Sequence, residues 1–412
     1  MSLASRLSLP EDLPRPLFAA VLCYLVHILF QAKPAMSELG VAWMFIFLLS
    51  SMSRGQIRPS FHILCYPLAV YGIASTVSSL VAPRAIHGAG EIAIWGKMLL
   101  FPAALMIFRT VPRVRTLAIY CHAIGATSIA LMGLFQYFVE HQRDLEHRIT
   151  GPSTHVMTYS GLLLPLSLFL IILAIHEKKP WMIASSSVVT LALLLTFTRS
   201  AWLGWLAAVF VLIAATRPRW MTFAVPVLVA GIALLPLSLF SRAVSSFDTR
   251  QSSNLDRIRM VQAGIEIIRD YPLFGVGPAN VKEIYPLYRK SDAPRFRPPH
   301  LHNNIIQIWA ERGILGLAGY VLLLALFLRE CTRGWRGAAR PLAEIGIAVT
   351  VAMTYAGLFE FNFGDTEPFL LLLDLFALVV ASIEASAGEP ASAARPSRPV
   401  RANEAAPEAV GA

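Results

Sequence analysis

The sequence predicts an all-α, polytopic integral membrane helical bundle of about twelve transmembrane helices, and three observations carry that prediction. Only 15% of the 412 residues are charged, against roughly 25% in soluble domains. Hydrophobic residues make up 56% of the chain and its mean hydropathy is +0.60. Apolar stretches of span length recur along most of the sequence, and a helix crosses the hydrocarbon core in about 20 residues. This composition excludes an ordinary cytosolic enzyme, a disordered protein and a nucleic-acid binder that is basic throughout.

Taken in order, the spans fall near 17–33, 39–53, 61–82, 92–109, 116–139, 156–175, 181–197, 200–216, 220–240, 314–330, 342–359 and 368–385. The first has a short basic lead, Arg6 and Arg15, and no convincing small-residue cleavage site after it, so it reads as an uncleaved span. The stretch from Trp181 to Ala215 is too long for one helix and is broken only by Thr196-Phe197-Thr198-Arg199-Ser200. It therefore reads as two helices meeting at Arg199. With the N-terminus cytoplasmic, the cytoplasmic connections carry Arg54 and Arg58, then Arg109, Arg113 and Arg115, then Lys178 and Lys179, then Arg217 and Arg219, then Arg329, Arg333, Arg336 and Arg340. The opposite short connections hold only Lys33, Arg84, Arg143, Arg148 and Arg199. Because Lys and Arg collect in short cytoplasmic loops, both termini are placed inside. The domain plan is then nine spans over 1–240, a large non-cytoplasmic loop over 241–313, three spans over 314–385 and a disordered cytoplasmic tail over 386–412.

The net charge of +10 is in part this topological bias. The long outer loop escapes it, since long loops translocate regardless of charge, yet its basic residues exceed its acidic ones by four. An anionic ligand would explain that excess. Within the loop, Ser253 to Asp256 resembles a capping box, and Ile258, Val261, Ile265 and Ile268 recur at helical spacing until Tyr271-Pro272. The pattern predicts an amphipathic helix lying on the membrane surface or on the bundle. Arg257 and Arg259 sit in its first turns, where they either form a solvated face or join the helix N-terminus in holding an anion. Gly275-Val276-Gly277-Pro278 lacks the third glycine and the preceding strand of a dinucleotide loop and reads as a turn.

The polar residues that stand out gather on the outer side. Arg199, flanked by apolar residues, either snorkels to the interface or faces a cavity, and its Thr and Ser neighbours favour the cavity. His300 and His302 precede Asn303 and Asn304; an imidazole there can take a proton near neutral pH or simply pack. No third ligand stands at a recognisable spacing, so no metal site and no cofactor are expected. Glu360, Asn362, Asp365 and Glu367 form a cluster that either balances the arginines or orients the histidine. Lys97 and Asp374, at similar depth, are expected to pair, because ions inside a membrane seldom stay alone. Four scattered cysteines, Cys23, Cys65, Cys121 and Cys331, form neither a metal spacing nor a disulfide framework.

The order Thr198-Arg199-Ser200, then Asp256-Arg257-Ile258, then Asp270 to Pro278, then His302-Asn303 and Glu311 to Gly316 resembles the O-antigen ligase family. His302, Asn303, Gly313 and Gly316 match that family's motif in full. The resemblance implies transfer of a glycan from undecaprenyl pyrophosphate to a hydroxyl of lipid A core oligosaccharide, at the periplasmic face of the bacterial inner membrane. The superfamily also holds O-antigen polymerases and O-oligosaccharyltransferases, which the motif does not separate. On this resemblance His302 is the general base, while Arg199, Arg257 and Arg259 bind the donor's pyrophosphate in place of a metal. Asn303, Glu311 and His300 support them. A secondary transporter is the rival from another class, but no repeated halves are visible around a midplane site.

Overall fold

The computed structural model describes residues 8–82, 94–144, 146–220 and 252–388. Besides a helical stretch at 94–98, thirteen α-helices are described. They are α1 (Arg15–Leu29), α2 (Pro34–Ser53), α3 (Cys65–Val81), α4 (Leu100–Thr110), α5 (Arg113–Phe138), α6 (Val156–Glu177) and α7 (Pro180–Leu195). After them come α8 (Arg199–Thr216), α9 (Ser252–Asp270), α10 (Val281–Tyr288), α11 (Asn304–Gly334), α12 (Arg340–Ala356) and α13 (Thr366–Gly388). No strand occurs among the described residues.

Six helices, α2, α5, α6, α8, α11 and α13, are long and apolar enough to cross a membrane, and α1, α3 and α7 are shorter apolar helices. Six such helices in one chain make a multi-pass membrane protein. A helix lies on eleven of the twelve predicted stretches; the remaining one, 220–240, lies beyond Trp220 outside the described residues, as do 241–251, Arg84 and the tail from 389. The break at Arg199 falls where predicted, with α7 ending at Leu195 and α8 starting at Arg199.

The most buried helices are α6 and α13, whose span windows are 83% and 78% buried. Their sequences are apolar around the whole circumference, which is the composition of a helix surrounded by others. Around them α1 packs on α2, α3 on α11, α8 on α12 and α4 on α13. A second, smaller core lies beside the bundle, built from Met260, Ala263 and Ile267 of α9 with Val276, Val281, Tyr285, Leu301 and Ala310.

Three expectations are corrected here. The apolar row that α9 buries is Met260, Ala263 and Ile267, with Ile268; Ile258 and Ile265 are exposed. The helix packs on α10 and α11, so a neighbouring element rather than the strongest apolar stripe selects its inner face. Ser253 is no cap, because α9 is already helical at Ser252. Asp256 instead receives the backbone N–H of Arg295 at 3.2 Å and pairs with its guanidinium at 3.1 Å. Finally, Lys97 and Asp374 do not pair. Asp374 Oδ2 accepts from His27 Nε2 and Gln31 Nε2, both at 2.8 Å, whereas Lys97 donates to Thr366 Oγ1 at 2.6 Å. Equal depth placed the two ions in one layer but said nothing about which helices adjoin.

Candidate active site

The first turns of α6, α8, α9 and α13 and the start of α11 line one cavity of about 780 Å³. Helix N-termini carry unpaired N–H groups and the positive end of the helix dipole, so their convergence favours an anion. The side chains agree with the backbone. Arg148, Arg199, Arg257, Arg295, Arg312 and Lys97 all line the cavity.

Arg199 sits at the first position of α8 after Thr198 and is only 7% exposed. Its Nη2 donates to Asn254 Oδ1 at 2.7 Å and to Ser253 Oγ at 3.3 Å, both on α9. Arg257 is half-buried one turn further along α9. Burial first, then the charge of Arg295, lowers its pKa, partly offset by Glu360 and Asp256. Arg148 lies beside it, and burial and the Arg257 charge lower its pKa too. Clustered, partly desolvated guanidiniums repel one another, and an anion between them would relieve that repulsion.

His302 stands at the wall of the same cavity. Its φ of +51° lies in the left-handed region, which non-glycine residues seldom adopt and which clusters at functional sites. Leu301, fully buried in the small core, anchors the segment so that His300 and His302 face the cavity. Nδ1 of His302 lies 2.9 Å from Glu360 Oε2, and Arg295 Nη1 approaches Nε2 at 3.4 Å. An arginine can only donate, so the network assigns the proton to Nδ1 and the lone pair to Nε2. Burial alone would raise the Glu360 carboxyl, but the hydrogen bond and charge of His302, with His300 and Arg257, hold it at about 2. His300 Nε2 lies 3.5 Å from Glu360 Oε1, and burial lowers its pKa to about 4.

The backbone around this pair is stitched together by Asn303 of the motif and by Asn304 beside it. Asn303 caps α11, accepting from the Ile306 N–H at 3.0 Å, and donates to the Leu358 carbonyl at 2.9 Å. The Asn304 N–H donates to the Gly357 carbonyl at 2.7 Å, and its side-chain amide to Asn362 Oδ1 at 2.7 Å. The loop bearing Glu360 is thereby fixed to the residues next to His302. Further along α11, Gly313 has φ +65° and ψ −170° and breaks the helix into two parts. The turn at Gly275 and Gly277 lies against it: Val276 N–H donates to the Ala310 carbonyl at 2.8 Å, and Gly277 N–H to the Glu311 carbonyl at 3.0 Å.

Of the expected site residues, Arg199, Arg257, His300, His302 and Glu311 line the cavity, and Arg259 and Asn303 do not. Arg259 is held by Asp292 at 2.6 Å and Gln262 at 2.7 Å. Glu311 is buried and paired with Arg312 at 2.8 Å; Arg312 also donates to Ser75 and lies over the Tyr71 ring. Sequence reasoning missed Arg148 and Arg295 as site residues, since one looked like an ordinary loop charge and the other like one of many. It offered Glu360 only as one of two readings, and the contact with His302 is the orienting one. Among the described residues, His300, His302 and Glu360 also bring three possible metal-binding atoms within 4.8 Å of one another.

No curated protein sequence matches the chain. Residues 184–321 match the family model described as O-Antigen ligase. That segment contains Arg199, Arg257, His300, His302 and the whole of the glycine-ended motif, while Arg148 and Glu360 reach the cavity from outside it. With that match, and the motif residues gathered at one cavity, residues 184–321 are similar to the O-antigen ligase family.

Proposed function

We propose that this chain is a membrane glycosyltransferase that moves a glycan from an undecaprenyl-pyrophosphate carrier to a hydroxyl of lipid A core oligosaccharide, without a metal. The observation that carries the reading is His302, oriented by Glu360, at the wall of a cavity that also holds Arg148, Arg199 and Arg257. The arginines bind the donor's pyrophosphate. Nε2 of His302 removes the proton from the acceptor hydroxyl as its oxygen bonds to the anomeric carbon. The bond from that carbon to the phosphate oxygen breaks, its electrons leave with the carrier pyrophosphate, and the arginines stabilise the growing charge. Direct displacement inverts the anomeric centre. Glu360 steadies the imidazolium that forms, as a buried carboxylate does in other His-based sites.

The periplasmic placement of the cavity at the inner membrane rests on charge. Among the described residues, none of the arginines and lysines that mark the cytoplasmic connections lines the cavity. In the test, His302→Ala in well-expressed protein abolishes glycan transfer while donor binding persists; transfer at the normal rate would remove the base. Arg199→Ala or Arg257→Ala weakens affinity for the lipid pyrophosphate, and unchanged affinity would return these residues to a packing role. Loss of the gene should leave polymerised glycan unattached to lipid A core. Single repeat units instead would make the chain a polymerase.

A further inference from the structure

His300, His302 and Glu360 meet as a three-donor set, although the three are not adjacent in the sequence and no metal spacing announces them. His302 Nδ1 is 2.9 Å from one carboxylate oxygen of Glu360 and His300 Nε2 is 3.5 Å from the other. Donors bound at about 2.0–2.2 Å in a tetrahedral zinc site lie about 3.3 Å apart; each histidine stands near that distance from an oxygen of Glu360, and all three donor atoms lie within 4.8 Å of one another. All three residues line the cavity, which leaves the fourth position open to solvent or substrate. Two imidazoles and one carboxylate suit zinc and similar transition metals and not magnesium or calcium, which take oxygen ligands.

We propose that His300, His302 and Glu360 form a divalent transition-metal site whose occupancy and the use of His302 as a base are mutually exclusive. The reason is the ring itself. A neutral imidazole that ligates through Nδ1 carries its proton on Nε2, so the atom assigned to take the acceptor's proton no longer has a lone pair. The shift moves a proton within the ring and releases none. At His300, ligation through Nε2 places the proton on Nδ1 and gives up the 3.3 Å contact that Nδ1 makes with the His302 N–H. The cations nearby oppose the ion: Arg295 lies 3.4 Å from the His302 ring, and Arg257 is close enough to influence Glu360. The site is therefore inhibitory and tunable, occupied when zinc is abundant and emptied by chelation. This inference rests on the base reading above only for its inhibitory part.

The test titrates ZnCl2 into the purified full-length protein by calorimetry and follows transfer in parallel. The expected result is one zinc per chain, weakened about 100-fold or more in His300→Gln and in Glu360→Gln, since loss of a mere outer-shell partner already costs about 10–100-fold. Arg295→Gln keeps all three donors and should tighten zinc, which preserves the test if a ligand variant fails to fold. Equal zinc affinity in wild type and folded His300→Gln would overturn the site. Transfer by the wild type should stop with zinc and return with EDTA. Zinc bound at these residues with undiminished transfer would overturn the exclusivity and the base role while leaving the site. No zinc binding together with an inactive His302→Ala would do the reverse.

Discussion

Glu360 is the residue on which the proposed chemistry turns, because one buried carboxylate meets both histidines while its neighbours keep it ionised. Glu360→Gln retains an oxygen able to accept from Nδ1 but loses the charge that steadies the imidazolium. Transfer should fall about 10²-fold or more with donor affinity unchanged, as read from single-turnover rates beside donor-binding isotherms. Arg148 makes the complementary case. Arg148→Ala should weaken donor binding about 10- to 100-fold, the effect of losing hydrogen bonds to a charged group worth about 1.5–3 kcal/mol. Arg148→Lys should recover only part of it, because an ammonium lacks the planar fork. Equal binding by wild type and Arg148→Ala would place this residue outside the donor site.

At the scale of elements, the break in α11 matters more than its length. The span predicted from 314 begins at Asn304, and the first part of the helix carries Gln307 and Glu311 to the cavity. Gly313 makes this possible: its φ and ψ fall where glycine alone is at ease, and a Cβ there would collide with the Leu273 backbone. Gly313→Ala should cost about 1–3 kcal/mol from the backbone alone, with further loss from the collision, seen as a lower melting temperature and reduced transfer. Gly337→Ala is the control, since a Cβ there meets nothing closer than 4.0 Å. Asn303 belongs to this scale too. Its motif position is explained by the cap it makes and by the loop it ties down, without contact with the cavity.

Across the whole molecule, α1 and α13 are joined deep in the bundle by Asp374 with His27 and Gln31, all nearly or fully buried. Removing Asp374 strips His27 Nε2 and Gln31 Nε2 of their shared acceptor, and a buried polar group left unsatisfied costs about 1–3 kcal/mol, so Asp374→Ala should lower thermal stability by at least that amount. Exchanging the charges of Lys97 and Asp374 should rescue nothing, because Lys97 serves a different helix end through Thr366. Recovery by the exchanged double variant would reinstate a direct pair. The charge excess of residues 241–313 also divides at this scale. Arg259, Lys290 and Arg297 are paired with Asp292, Glu266 and Glu283, while Arg257, Arg295 and Arg312 reach the cavity.

The amino-acid sequence by itself determined the helical membrane architecture, the break at Arg199 and the candidacy of Arg199, Arg257 and His302, because hydropathy, stranded polar residues and a local motif are written along one dimension. Which residues meet was decided only by the tertiary structure. Glu360 with His302, Arg148 with Arg257 and Asp374 with His27 are separated by 58, 109 and 347 positions. No periodicity encodes such encounters, since they depend on which helix ends adjoin once apolar faces have packed. The same physics moved Arg259 out of the site: a favourable position in a first turn does not hold a guanidinium at a cavity when an acidic partner waits on the other side.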